Sequence, residues 1–486
     1  MTSDKKPDMV CTQSTRACAV RTKSIEQGGT MGDELNSQAG GDVSLEEGGG
    51  GLNRAPISRR TLLTGLAAIS VPLGGALASR RVEPLMRKKG RTIKFGYVSP
   101  ETGPLAAFGA ADSFVIGALK TILARGVLID GVIHPIEVIV KDSQSTDATA
   151  AAVANDLIKN DKVDIMLVSS TPDTTNPVSD ACETNRVPCI STVAPWQSWF
   201  FGRGASPSTV YKWTYHFFWG LEDIEAVYSD IWEAIPTDKS IGGLWPNDSD
   251  GQAFAAAATG FPAFIKTLPG YTVTPSGLYP DLTTDFTSQI TLFKGNNCDI
   301  LTGVPIPPDF TTFYQQAAQQ GYQPKVATIA KAMLFPSAAQ ALGPLAENIS
   351  TEYWWGPTHP YTSSLTNQSC AQIAGRFETV TKQQWTQPIG FVHALFEVAI
   401  ATLKKAKVVG DGSAFVKTLS TLKLNSIVGP LDWSKGPVPN VTKTPLVGGQ
   451  WRASSSAQSG YDLVIVTNTG HTNIPTASTP EVIKAS

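Results

Sequence analysis

From residue 93 onward, short apolar runs alternate with helical patterns of ten or more residues, and this rhythm constrains the fold more than any other feature. Apolar stretches at 93–98, 134–141, 163–168 and 187–191 read as strands. Helical patterns at 107–125, 146–160 and 174–185 separate them, with Asp142-Ser143-Gln144-Ser145 supplying turn and cap groups before the second. The pattern then repeats. Strands are expected at 240–245, 271–279, 299–304, 325–330 and 349–354, with helices at 251–266, 286–294 and 310–320 between them. Two further helices, at 371–385 and 388–405, continue the chain. Strands that alternate with helices of this length pack most economically as doubly wound parallel sheets, so the expected fold class is α/β. Ligands bind such sheets outside the carboxyl ends of their strands. Two sheets side by side therefore predict a cleft between two sets of strand ends.

The start of the chain reads differently. Residues 1–57 are rich in Gly, Ser, Thr and Gln without hydrophobic periodicity, too little apolar surface to offset the entropy of ordering them. Ser58-Arg59-Arg60-Thr61-Leu62-Leu63 follows, then an apolar run from Thr64 to Leu77 and the small-residue site Ala76-Leu77-Ala78. Paired arginines, a moderately apolar core and an A-x-A site predict a twin-arginine export signal. Residues 1–78 are thus expected to be a disordered extension and signal peptide, and the protein to be periplasmic or otherwise extracytoplasmic. The run is short for a bilayer, and Pro72 with Gly74-Gly75 would spoil it as a core helix.

Charge narrows the partners. Lys and Arg number 39 against 41 Asp and Glu, a formal net charge of -2, which excludes the cationic face needed to track nucleic-acid phosphates. Past residue 78 the cysteines are Cys182, Cys189, Cys298 and Cys370. An oxidising compartment preserves disulfides, and Cys182 and Cys189, ending a helix and opening a strand, are placed for a local bridge; buried free thiols are the alternative. No Cys/His spacing suggests a metal site. Gly202-Arg203-Gly204 begins a dinucleotide fingerprint, but Pro207 stands where its third glycine should be, so no cofactor is expected.

Catalytic equipment is also missing from the pattern. There is no nucleophile elbow, phosphate-binding loop or zinc-protease helix, and His134, His216, His359, His393 and His471 lie far apart. A catalytic histidine needs an orienting partner, and none stands out in the sequence. No catalytic residue is assigned. Tryptophan is the richer signal. Trp196, Trp199, Trp245, Trp354 and Trp355 stand beside expected strand ends, where they would line a cleft; core packing is the alternative.

Four stretches, in order and spacing, carry a resemblance: Gly96-Tyr97-Val98-Ser99-Pro100-Glu101-Thr102-Gly103-Pro104 with Phe108-Gly109 after it; Lys141-Asp142-Ser143-Gln144; Val187-Pro188-Cys189-Ile190-Ser191; and Ile427-Val428-Gly429-Pro430-Leu431-Asp432-Trp433. Over nearly all of residues 91–452 the layout resembles the type I periplasmic solute-binding proteins of ABC transporters, in the branched-chain amino acid and amide receptor family. The resemblance implies two Rossmann-like lobes joined by a three-segment hinge. Lobe 1 would comprise 91–213 and 333–430, lobe 2 would comprise 214–332 and 431–460, and 461–486 would be a C-terminal tail. It also implies a monomer that captures a small-molecule solute and hands it to an ABC transporter permease at the inner membrane. A ligand-sensing module of the same fold and an exported α/β enzyme are the alternatives.

In that family lobe 1 holds a carboxylate or amide through hydroxyls and backbone N–H groups after the third and fourth strands. The matching positions are Ser170, Thr171 and Asp173, then Thr192, Val193 and Ala194. Phe108 matches an aromatic lid position, and Trp196 and Trp354 would add flat apolar walls. From lobe 2 the resemblance implies Asp250, Pro305 and Lys331. Amino acid receptors of the family place an acid near that last position to hold the ligand's ammonium. With Lys331 there instead, the implied ligand is a small carboxylate or amide with an apolar or aromatic body and no obligatory ammonium, although Asp250 or Asp173 could supply the acid.

Overall fold

The computed structural model describes residues 88–484. The expected export signal at Arg59-Arg60 and Ala76-Leu77-Ala78 lies outside them. The chain opens with β1 (Ile93–Ser99), α1 (Asp112–Arg125), β2 (Ile136–Asp142), α2 (Asp147–Lys159), β3 (Ile165–Ser169), α3 (Pro172–Asn185), β4 (Cys189–Thr192) and β5 (Thr214–Phe217). It then builds a second sheet with α4 (Leu221–Ala234), β6 (Ser240–Pro246), α5 (Ser249–Ala255), α6 (Phe261–Ile265), β7 (Thr272–Tyr279), α7 (Thr287–Gly295), β8 (Ile300–Gly303), α8 (Pro307–Gln319), β9 (Val326–Ile329) and β10 (Ser350–Tyr353). It returns to the first lobe for α9 (Cys370–Thr381), α10 (Pro388–Ala406) and β11 (Val441–Thr442), and crosses once more to β12 (Val447–Ala453) and β13 (Tyr461–Thr467).

The first sheet has the order β11-β5-β4-β3-β1-β2, all parallel. The second runs β7-β6-β8-β9-β10-β12-β13, parallel as far as β10 and antiparallel beyond it. Parallel sheets are covered on both faces, and their strands accordingly read as near-continuous apolar runs. In β1 only Lys94 escapes full burial. Helix α2 packs through small residues, Ala150 and Ala154 with Leu157, and Thr146 caps it by accepting the Thr149 N–H at 3.2 Å. Helix α10 is buried almost all round, as expected of a helix apolar on every face.

Several expected boundaries are corrected. The chain crosses between sheets after β5, after β10 and between β11 and β12, rather than near 213, 332 and 430. Sheet register decides this: Thr214–Phe217 pairs residue for residue with Cys189–Thr192, and Ser350 pairs with Thr328 of β9. Residues 214–217 therefore belong to lobe 1, 333–353 to lobe 2 and 431–442 to lobe 1. Residues 461–467 are no tail, since β13 pairs with β12 at the sheet edge. The helix expected over 251–266 is broken into α5 and α6, because Gly260 and Pro262 interrupt it. Cys182 and Cys189 are free buried thiols rather than a bridge. They sit in an apolar cluster with Val168 and Val178, where burial raises the Cys182 pKa and disfavours the thiolate that bridge formation requires.

Candidate functional site

The strand ends of the two sheets border a narrow cavity of about 30 Å³. Its wall is mostly apolar. Phe108 and Val193 come from the first lobe, Phe254, Val304 and Leu334 from the second, and Phe218, Trp219 and Trp354 from the crossings. Phe108 meets Phe335 edge-on, with ring centroids 4.9 Å apart, across the two lobes.

Lys331, Asp248 and Asp250 form the charged end of the site. Asp248 caps α5, accepting the Gly251 N–H at 2.7 Å through Oδ1, and its Oδ2 takes the Lys331 ammonium. A side chain at Gly251 would run into the Pro246 carbonyl, so glycine lets this first turn close on the end of β6. Asp250 Oδ2 lies 3.3 Å from the same ammonium, while its Oδ1 is buried without a hydrogen-bond partner among the described residues. Burial opposes the charge on Lys331, but Asp248, Asp250 and Asp173 outweigh it and raise the lysine's pKa. Burial raises Asp250 in spite of the lysine beside it.

The lysine is aimed by its backbone. With φ 58° and ψ -59°, and a 2.5 Å hydrogen bond from the Ala332 N–H to the Ala330 carbonyl, it centres a γ-turn of the rarer, strained hand. Glu352 at the end of β10 accepts the Lys331 N–H at 3.1 Å and holds that turn. Its other oxygen accepts from Tyr228 Oη at 2.9 Å and Thr351 Oγ1 at 2.8 Å. Burial pushes the Glu352 carboxyl up to about 7. On the opposite wall Val193 also has positive φ, 70°, a genuine outlier for a β-branched residue. Strain thus borders the cavity from both lobes.

Of the residues expected from sequence, Phe108, Thr171, Val193, Asp250, Lys331 and Trp354 line the cavity. Thr171 is the residue before α3, yet its hydroxyl does not cap the helix and has no partner among the described residues. The others go elsewhere. Asp173 reaches across the lobes to accept the Ser249 N–H at 3.2 Å and hydroxyl at 2.6 Å. Thr192 donates to the Phe217 carbonyl at 2.6 Å, and the Ala194 carbonyl bonds to His216 Nε2 at 2.8 Å. Trp196 donates to Glu222 at 3.0 Å and packs on Phe201, and Ser170 and Pro305 are buried but do not line the cavity. Lys331 is in place, but its ammonium is taken by two aspartates and is not a free donor for an anion. Phe218, Trp219, Phe254, Leu334 and Glu352 were not anticipated, because their segments are the misplaced crossings, a strand end and the helix that breaks.

A Ser–His contact away from the cavity has a structural use. Ser363 Oγ lies 2.7 Å from His393 Nε2 and also accepts the Leu365 and Thr366 N–H groups, both at 3.1 Å. Glu397, one turn along α10, accepts from Ser364 Oγ at 2.8 Å and from the Ile427 N–H at 2.9 Å. These bonds bolt two loops to α10. Burial lowers His393 to about 4, too weak a base for work at neutral pH.

A sequence profile described as periplasmic binding protein matches residues 92–455. Among similar solved structures is the leucine binding protein LivK of Thermotoga maritima, 15% identical, covering 78% of this chain and 100% of its own, with a TM-score of 0.63. The substrate binding protein LivJ of Streptococcus pneumoniae, in complex with isoleucine, is 18% identical, covers 77% and 99%, and has a TM-score of 0.61. A solute binding protein of an ABC transporter from Rhodopseudomonas palustris, in complex with 3,4-dihydroxybenzoic acid, is 18% identical, covers 77% and 96%, and has a TM-score of 0.61.

Proposed function

Because the chain belongs to the periplasmic binding protein family, we propose that it is the extracytoplasmic solute-binding component of an ABC importer. Its ligand is a small carboxylate or amide with an apolar body, captured between the lobes and passed to a membrane permease. One observation carries this reading: an aromatic-walled cavity bounded by the strand ends of both sheets, with unpartnered polar atoms on both sides, Thr171 Oγ1 and Asp250 Oδ1. The free oxygen of Asp250 favours a hydrogen-bond donor on the ligand, so Lys331 does not turn the pocket against amino acids. The isoleucine and dihydroxybenzoic acid of the two neighbours both fit that description at their carboxylate end.

The test is a panel of amino acids, aromatic acids and their amides, read by thermal shift and small-angle scattering. A ligand at a hundred times its Kd should add about 2.7 kcal/mol of stability, and the scattering should show compaction. The compound should be recovered unchanged. Turnover of the bound compound, or stabilisation that Thr171→Ala and Phe108→Ala leave untouched, would sink the assignment.

Export is tested separately. Replacing Arg59-Arg60 with two lysines should leave the protein in the cytoplasm, seen by fractionation against a periplasmic marker. Normal export of that variant would refute the twin-arginine route and leave the binding assignment standing.

A further inference from the structure

Two buried donors in the cavity wall have no hydrogen-bond partner among the described residues. Trp219 follows β5 at the first crossing, and Trp354 follows β10 at the second. Their side chains are 3% and 1% exposed, both line the cavity, and neither indole Nε1 has a partner among the described residues. Buried donors are almost always paired, so an unpaired one needs a reason. Six other tryptophans of the chain obey the rule. Trp196, Trp199 and Trp232 donate to Glu222, Ser179 and Thr328 at 3.0, 3.1 and 3.1 Å. Trp355, Trp433 and Trp451 donate to the carbonyls of Ile427, His216 and Met333 at 3.1, 3.2 and 2.8 Å. Trp245 also lacks a partner, but it lies within β6 and does not line the cavity.

Both rings are fixed in place. Trp354 packs edge-on against Phe218 and Phe391, with centroids 5.3 and 5.0 Å away, and Gln387 accepts its backbone N–H at 2.7 Å. Trp219 leans on Phe218 at 4.7 Å, and its carbonyl accepts the Trp196 N–H at 3.0 Å. Packing needs only the rings; phenylalanine would fill much of the same wall without an unpaired N–H. An indole N–H donates and never accepts, so it selects an acceptor and rejects an ammonium.

We propose that the indole N–H groups of Trp219 and Trp354 form an acceptor subsite that takes a carboxylate or carbonyl oxygen of the ligand. This rests on the reading of the cavity as the solute site. It sets the ligand's polarity, with its acceptor toward the crossings and its donor toward Asp250. An oxygen held by both indoles also joins two of the three segments that connect the lobes. Capture would then act directly on the chain segments about which closure turns.

The experiment titrates the purified protein, by calorimetry, with two matched series: 3-phenylpropanoate, its amide and 3-phenylpropylamine; and 4-methylpentanoate, its amide and 4-methylpentylamine. In at least one series the carboxylate or amide should bind more tightly than the amine. Trp219→Phe and Trp354→Phe should each weaken that compound about tenfold, and the double variant about a hundredfold. Their melting temperatures without ligand should stay near that of the parent, because no internal hydrogen bond is lost. On the unaltered protein, two indole ¹⁵N–¹H resonances should shift downfield as the carboxylate or amide is added, a readout that needs no variant to fold. If the amines bind best, or if binding leaves all indole resonances and the Phe variants' affinities unchanged, the subsite is wrong and solute capture stands. If no member binds, while an unrelated solute does so with unshifted indoles, the subsite again falls alone. If nothing binds, both readings fall.

Discussion

Lys331→Met should destabilise the protein by about 3–5 kcal/mol at pH 8, the cost of breaking a buried ion pair by removing one partner. The side chains of Lys331, Asp248 and Asp250 are only 4%, 6% and 5% exposed, so water cannot replace the lost ammonium. Two neighbouring buried carboxyl groups would be left without their cation, with Asp173 adding further negative charge nearby. Burial already raises Asp250, and without the lysine beside it Asp250 holds its proton more strongly. A carboxyl whose folded pKa is raised above its unfolded value contributes stability at low pH and loses it as pH rises. The variant should therefore be closest to the parent near pH 5 and furthest from it at pH 8, in urea melts followed by tryptophan fluorescence. Adding Asp250→Asn should recover much of the loss, because one uncompensated charge is gone. A Lys331→Met protein as stable as the parent at pH 8 would show that this lysine does not hold the aspartates together.

The second large effect is on the parent protein, whose stability should fall between pH 6.5 and pH 8. Burial raises Asp112 to about 8, even though Ser99 donates to it at 2.6 Å. Burial likewise raises Glu352 and Glu397 to about 7. Each folded pKa exceeds its unfolded value, so stability is fully present below about pH 4 and is lost as pH climbs through the folded pKa. Each carboxyl still protonated contributes a slope of up to about 1.4 kcal/mol per pH unit. The histidines act with the opposite sign. Burial lowers His216 and His359 to about 3 and His393 to about 4, so they withdraw stability only as pH falls below the ordinary histidine range. Above pH 6.5 the carboxyls act alone, and below it the histidines oppose them. Melting temperatures should peak on the acid side of neutrality. Asp112→Asn should flatten the alkaline limb, and a parent melting curve that rises from pH 6.5 to 8 would contradict the account.

The alternation of strands and helices was legible because burial on both faces writes itself as unbroken apolar runs, as in β1. The strand Thr214–Phe217 was not, since a four-residue strand amid tryptophan and phenylalanine has no period of its own. Missing it moved the first crossing and hid Phe218 and Trp219, which follow it. Positions just past strand ends, such as Thr171, Val193, Lys331 and Trp354, could be named from the pattern. What Lys331 does there could not. Its direction depends on a γ-turn held by Glu352, a contact between residues 21 positions apart, and a sequence lists the cation without saying which carboxylates it meets.

The first sheet takes its edge strand from residues 441–442, and the second takes its last two strands from 447–467. Neither half can therefore finish before residues 442 and 467, respectively, have been made. Until then an emerging chain exposes sheet edges and apolar faces, the state in which aggregation competes with folding and chaperones are needed. Pairings that span so much sequence also slow the final assembly. Maturation becomes a single late event for both halves. A protease clipping the chain before β11 would cut an edge from each sheet at once, so damage at one point of the chain would be felt in both lobes.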